Sequence, residues 1–206
     1  MSWYAEHILP HMITLACDTK PQRKQREKII PLAEGEVLEV GFGSGLNVPY
    51  YDTSKVRKIW ALEPSAGMRR KSRRLVDESD MEIEFIDLPG ERIPLDGSSV
   101  DTVVITYTLC TIEDTRTALE GMRRVLKPGG RLLYTEHGKA PDESVQRWQQ
   151  RLNPAWRMLA GGCNMHRDIP AVLTDGGFDI KVDERMYIPG PKILNYNYWG
   201  SAEAAK

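Results

Sequence analysis

The chain has 206 residues, 41% hydrophobic and 28% charged, with 28 Lys and Arg against 29 Asp and Glu for a formal net charge of −1. That length suits one domain, the composition excludes a disordered or fibrous chain, and the charge balance argues against a nucleic-acid partner. The longest stretch free of Asp, Glu, Lys and Arg runs from 40 to 51 and is interrupted by Gly, Asn and Pro, so no segment reads as a bilayer span of about 20 apolar residues.

Residues 3–17 read as a short helix without the basic-then-apolar layout of a signal peptide. Residues 37–40 form an apolar strand that runs into Gly41-Phe42-Gly43-Ser44-Gly45, and residues 58–62 form a second, ending at Glu63-Pro64. Residues 66–77 predict a helix whose basic face (Arg69, Arg70, Lys71, Arg73, Arg74) reads as solvated. A third strand spans 82–86, and the β-branched run at 100–106 suits a strand buried on both sides. In residues 115–126, Ala118, Leu119, Met122, Val125 and Leu126 share one helical face. Lys127-Pro128-Gly129-Gly130 stops that helix, and residues 130–136 return as a fifth strand.

Strands alternating with helices of about a dozen residues predict an α/β fold: a mostly parallel sheet with helices on both faces. After residue 145 the rhythm changes to a Trp-bearing helix, a Gly-Gly-Cys turn, a helix near 168–175 and a Tyr-rich tail. We read 1–206 as one domain, with a helical cap at 1–34, a ligand-binding core at 35–137 and a substrate-shaping part at 138–206. Three cysteines, Cys17, Cys110 and Cys163, with no CxxC spacing, suit a reducing cytoplasm.

Glycines directly after a strand let the backbone approach a ligand that any Cβ would obstruct. The spacing here is GxGxG rather than the GxGxxG of a dinucleotide site. Glu63, at the end of the next strand, stands where a carboxylate accepts hydrogen bonds from both hydroxyls of a ribose. Together these features point to a bound nucleoside.

The same residues resemble the class I S-adenosylmethionine-dependent methyltransferases. The matching pieces are residues 39–45, Glu63-Pro64-Ser65, residues 93–101 and residues 123–132, in the family's order. The resemblance implies a Rossmann-like, seven-stranded sheet with a reversed C-terminal strand. It implies S-adenosylmethionine as cofactor and S-adenosylhomocysteine as product. Gly41, Gly43 and Gly45 then pass beneath the cofactor's methionine and ribose, Glu63 holds the ribose hydroxyls, and Glu39, Asn47, Pro64, Met68, Thr106 and Leu109 are further cofactor-binding residues. Pro89 stands where many relatives carry an acid for the adenine amino group, which leaves adenine to Gly90 and Glu91.

A narrower resemblance covers Thr108-Leu109-Cys110, Glu136-His137, residues 148–156, Gly162-Cys163-Asn164 and Arg167. These are similar to the animal thiol S-methyltransferases, which methylate small thiols such as hydrogen sulfide and alkyl thiols. Those proteins carry an N-terminal membrane anchor that residues 3–17 do not match, so a cytoplasmic relative is expected.

Methyl transfer needs the nucleophile held about 3–3.5 Å from the methyl group with water excluded. A thiol must also lose its proton. His137, at the end of the fifth strand, is the candidate general base, the alternative being a packing histidine. Candidate acceptor contacts are Tyr4, His7 and His11 on the N-terminal helix, with His7 and His11 on one face with Trp3, and Asn164 and Arg167 beyond the Gly161-Gly162 hinge. Arg167 would lower a thiol pKa or salt-bridge Glu136. Cys110, Cys163, His137 and His166 lack ligand spacing, so no metal is expected and the cysteines read as core.

The expected enzyme is a monomer or weak homodimer that S-methylates a small thiol. The alternative acceptors are a phospholipid headgroup or a quinone-like ring, methylated on N, O or C. A cofactor-binding module without turnover is a third reading.

Overall fold

The computed structural model describes residues 3–205; the side chain of Trp3 lies outside the described residues. Seven strands build one sheet: β1 (Gly35–Val40), β2 (Val56–Leu62), β3 (Glu82–Ile86), β4 (Val100–Thr106), β5 (Leu126–His137), β6 (Phe178–Tyr187) and β7 (Tyr196–Ala204). Their order is β3-β2-β1-β4-β5-β7-β6. β1 to β5 pair in parallel, and β7 runs antiparallel to both β5 and β6. The order reverses between β1 and β4, and the mouth beyond the C-terminal ends of such strands is where open α/β sheets bind ligands.

Side-chain alternation divides the core in two. Leu38, Val103, Ile105, Leu132 and Tyr134 pack on one face with Leu119, Met122 and Phe178. Val37, Val104 and Leu133 pack on the other with Phe42, Ile59 and Ile30. Because central strands are covered on both sides, β4 is buried at every position but Asp101 and reads as a β-branched run rather than as an alternating one.

Seven α-helices accompany the sheet among the described residues: α1 (Trp3–His7), α2 (Leu9–Cys17), α3 (Lys20–Ile29), α4 (Ala66–Asp77), α5 (Thr115–Val125), α6 (Glu143–Leu159) and α7 (Ile169–Asp175). Side chains of Ser65, Asp114 and Asp168 cap α4, α5 and α7 by accepting from first-turn amides. No helix among the described residues is long and apolar enough to cross a membrane.

Three differences from the sequence reading have local causes. The N-terminal helix is two helices, because Pro10 has no N–H to carry the first across the junction and instead sits in the first turn of α2. β5 begins at Leu126 rather than 130: Lys127 turns back to place Nζ 2.9 Å from both Asp101 oxygens, across a register shift between Val100 and Thr102. β6, an edge strand exposed along most of its length, alternates Phe178, Ile180 and Val182 with Asp179, Lys181 and Asp183 rather than forming a continuous apolar run, and the sequence reading passed over it.

Candidate active site

Beyond the C-terminal ends of β1 and β4 lies a cavity of about 420 Å³. The turn after β1 supplies Gly41, Phe42, Gly43 and Ser44; the ends of β2 and α4 supply Glu63, Pro64 and Met68; and the segment before β4 supplies Pro89, Gly90 and Glu91. The turn after β4 adds Tyr107, Thr108 and Thr111, and α2 closes the top with Leu9, Ile13, Thr14 and Cys17.

Two glycines show why the turn after β1 reads as it does. Gly41 has φ +74°, and a Cβ there would lie 2.2 Å from Thr108 Cγ2. Gly43 has φ +59° but would meet nothing closer than the Gly41 carbonyl at 3.8 Å. The backbone at 43 therefore faces open room. Its N–H donates to Glu63 Oε2 at 2.8 Å, while Ser65 N–H donates to Oε1 at 2.8 Å. These two bonds fix the Glu63 carboxylate and leave further lone pairs on each oxygen. Burial nevertheless holds the Glu63 carboxyl above the usual range, against the pull of those amides. Arg69 also belongs here: it donates to the Glu63 carbonyl and pairs with both Asp87 oxygens, so it is not part of a merely solvated face.

Beneath Gly43, a buried polar network joins four segments. Glu39 accepts from Tyr51 Oη (2.5 Å) and Asn47 Nδ2 (2.8 Å), and Asn47 Oδ1 accepts from Arg26 Nε at 3.0 Å. Arg26 also donates to the Cys17 carbonyl, and its guanidinium lies 5.3 Å from the Tyr107 ring centre. Burial pushes the Glu39 carboxyl up to about 7, although Tyr51, Asn47 and Arg26 all favour its charge. Burial likewise pushes the Cys17 thiol up to about 11. Tyr107 has φ +50°, a strained conformation for a residue with a Cβ, and its hydroxyl is held by Asn197 at 2.7 Å.

The methyltransferase domain family matches residues 38–134, the stretch from β1 to β5. A human protein named thiol S-methyltransferase TMT1B is 32% identical over 200 residues, covering 89% of this chain and 81% of its own. The chain belongs to the class I S-adenosylmethionine-dependent methyltransferases. An Escherichia coli relative, the ubiquinone/menaquinone biosynthesis C-methyltransferase UbiE, is 29% identical over 56% of this chain and 53% of its own length. Among solved structures, a chain of the Haloferax volcanii complex between the Trm112 methyltransferase activator and the putative methyltransferase aligns at a TM-score of 0.72. It is 18% identical and covers 98% of this chain and 96% of its own, which shows the shared fold.

The donor set of this methyltransferase fits its cofactor. Gly43 offers bare backbone toward the cavity, and the fixed Glu63 carboxylate, with lone pairs remaining, suits a vicinal diol. Of the residues expected around the cofactor, Glu39, Gly41, Gly43, Asn47, Glu63, Pro64, Met68, Gly90, Glu91 and Thr106 line the cavity. Gly45 does not; its missing Cβ gives Ser72 room at 3.2 Å. Leu109 is buried outside the wall, its amide donating to Glu136 Oε1.

The expected acceptor residues fall elsewhere. Tyr4 donates to the Leu159 carbonyl at 3.1 Å, His7 is exposed, and exposed His11 meets Lys71 Nζ at 3.0 Å. The same helix does cap the cavity, through Leu9, Ile13 and Cys17 instead. Asn164 bonds its amide to the Cys110 carbonyl. Arg167 donates to the carbonyls of Leu109 and Ile112 rather than to Glu136. Its own pKa is lowered by burial.

His137 also lies off the wall, with Nε2 3.2 Å from Cys163 Sγ and Nδ1 buried without a partner. Burial opposes its charge, but Cys163 and Glu136 together raise its pKa. The sequence reading missed Arg26, Tyr107, Ile13 and Cys17 as wall residues. For Arg26 a signal existed, since it shares a helical face with buried Ile29 and Ile30.

Proposed function

We propose that this methyltransferase S-methylates a small thiol, such as hydrogen sulfide, methanethiol or an alkyl thiol, in the cytoplasm. The observation that carries the reading is the chemistry of the wall. Among its described residues Arg26 is the one cation, and none is a histidine. A thiol with a pKa near ~8.5 or below reaches its reactive thiolate without a dedicated base, and a nearby cation favours that form. An amine or hydroxyl acceptor would need a positioned proton acceptor; of the wall carboxyls, Glu39 is engaged by Tyr51 and Asn47 and Glu63 by two backbone amides, which leaves Glu91 and Glu113 for that role.

In this reading Glu63 accepts hydrogen bonds from the ribose hydroxyls, and Gly41 and Gly43 let the backbone pass beneath the donor. Pro64 and Met68 flank the sugar, and Gly90 and Glu91 meet the adenine. Glu39 and Asn47 hold Arg26 in place, and Arg26 biases the acceptor toward its anion. Leu9, Ile13, Cys17 and Tyr107 exclude water from the transfer. Bound S-adenosylmethionine supplies a methyl group already activated on a sulfonium. His137 takes no proton from the acceptor.

Incubating the protein with S-adenosylmethionine and millimolar thiols is expected to release S-adenosylhomocysteine in proportion to thiol. Release with other acceptors and none with thiols would overturn the reading.

One observation favours a second acceptor class. Exposed Ile8, Met12 and Leu15 on α1–α2 adjoin exposed Met158 and Leu159 at the end of α6, and Leu15 and Met158 are 78% and 81% exposed. The two patches meet where Tyr4 bonds the Leu159 carbonyl, beside the cavity mouth. A quinone-like acceptor held in lipid would use such a face. It predicts turnover only with vesicles that carry the quinol, and loss of that turnover in Leu15→Asp.

A further inference from the structure

Behind the cavity wall, the turn after β4, the end of β5 and the hinge after α6 bring Cys110, His137 and Cys163 together. Cys110 Sγ and Cys163 Sγ are 3.5 Å apart, and His137 Nε2 is 3.2 Å from Cys163 Sγ. All three atoms lie within 4.8 Å of one another. Around a tetrahedral Zn2+, with Zn–S near ~2.3 Å and Zn–N near ~2.0 Å, neighbouring ligand atoms stand roughly 3.5–3.8 Å apart. The Cys110–Cys163 and His137–Cys163 spacings lie close to that geometry, and the remaining pair closes in from within 4.8 Å.

We propose that Cys110, His137 and Cys163 form a three-ligand Zn2+ site. Two thiolates and an imidazole are the donor set that selects Zn2+ over hard cations. The scaffold holds the two thiols in register before any ion arrives. Asn164 N–H donates to the Cys110 carbonyl at 2.9 Å, and Gly161 and Gly162 adopt φ +62° and +90° to swing Cys163 inward. Cys110 is 2% and Cys163 9% exposed, so the site is screened from bulk water. A second observation points the same way. Glu136, next to His137 in β5, has a buried Oε2 with no donor while its Oε1 accepts from the Thr108 and Leu109 amides, and that unpartnered acceptor favours a cation nearby.

Binding displaces two protons to solvent, one from the Cys110 thiol and one shared by the hydrogen-bonded Cys163–His137 pair, leaving two thiolates and a neutral imidazole as ligands. The ion then fastens the turn that carries Thr108 and Thr111 to the hinge that carries Gly161. Those three residues all face the cavity, so metal loading firms the wall of the methyl-transfer site without entering it.

The test uses the full chain, reduced, stripped with a chelator and titrated anaerobically with Co2+ and then Zn2+. One equivalent of Co2+ is expected to give a thiolate-to-cobalt charge-transfer band and the visible spectrum of a tetrahedral site, both erased by one equivalent of Zn2+. Cys110→Ser and Cys163→Ser should each cut the charge-transfer intensity by about half. His137→Ala should weaken metal affinity by at least ~10-fold. Zn2+ should raise the melting temperature of the parent and leave that of the Cys110→Ser/Cys163→Ser double variant unmoved, which separates ligation from general folding. A parent that binds no stoichiometric metal would overturn the proposal. So would a double variant whose melting temperature Zn2+ raises equally, or mass spectrometry of the reduced protein showing a persistent Cys110–Cys163 disulfide.

Discussion

At the scale of single residues, Glu63 and the two glycines before it divide the work of the cofactor site. Glu63 is oriented by two backbone amides, so its remaining lone pairs are positioned before any ligand binds. A hydrogen bond to a charged group contributes about 1.5–3 kcal/mol. Glu63→Ala is therefore expected to weaken S-adenosylmethionine binding by at least ~10-fold, measured by calorimetry, with little change in melting temperature. Unchanged affinity would remove Glu63 from the site.

Gly41 and Gly43 should respond differently. A Cβ at 41 collides with Thr108, while one at 43 meets open room. Gly41→Ala should lower stability by roughly 2–4 kcal/mol, from strain and overpacking together. Gly43→Ala should cost about 1–2 kcal/mol through its left-handed backbone alone, yet abolish cofactor binding. Denaturant titration beside calorimetry separates the two. Equal losses of stability would refute the assignment.

At the scale of elements, the closing helix is placed by a close approach that its own sequence does not announce. A Cβ at Gly67, in the first turn of α4, would lie 2.5 Å from the Glu6 carbonyl and 2.9 Å from Pro10 Cγ. The small residue on α4 is thus what lets α1 and α2 sit over the cavity. Gly67→Leu is expected to push that helix pair away and leave the two cores intact. The rate of S-adenosylmethionine dissociation, followed by stopped flow, should then rise about 10-fold or more while the main unfolding transition stays put. A variant with parental dissociation kinetics would show that α2 is no lid.

The elements from β1 to β5 were legible because each carries its own period. The boundaries of α4, β3 and β4 agree with the sequence reading, and α5 ends within one residue of it. β6 was passed over: as an edge strand it has no continuous apolar run, and the signal it did carry is the alternation of Phe178, Ile180 and Val182 with Asp179, Lys181 and Asp183. The solvated face assigned to α4 was wrong at Arg69, which the end of β2 and the loop after β3 bond, and at Arg70 and Lys71, which reach Glu6 and His11 of the N-terminal helices.

At the scale of the whole molecule, buried charge sets how stability depends on pH. In the native state burial pushes the Glu39 carboxyl up to about 7. In the unfolded chain such a group titrates near ~4.3. Between those values the native state keeps a proton that the unfolded state has lost, so rising pH favours unfolding. The contribution is complete below ~4.3 and is lost by about pH 7, on the order of 3 kcal/mol. Glu39→Gln keeps an acceptor oxygen for Tyr51 or Asn47 and removes the titration. Urea unfolding at pH 5 and pH 8 should show the parent losing roughly 2–3 kcal/mol more than the variant across that interval. Parallel profiles would mean that Arg26 keeps Glu39 charged throughout.

The sequence by itself determined the alternation of strand and helix, the glycine turn, the acid at the end of β2 and the cofactor class. Each rests on residues close together in the chain, where periodicity and turn chemistry act. Only the tertiary structure decided that Arg26, rather than a histidine, faces the cavity, that Arg167 bonds backbone carbonyls, and that Cys110, His137 and Cys163 meet. Those residues sit on segments far apart along the chain. Their neighbours follow from how the sheet orders its strands and where the connecting helices land, which no spacing within the sequence records.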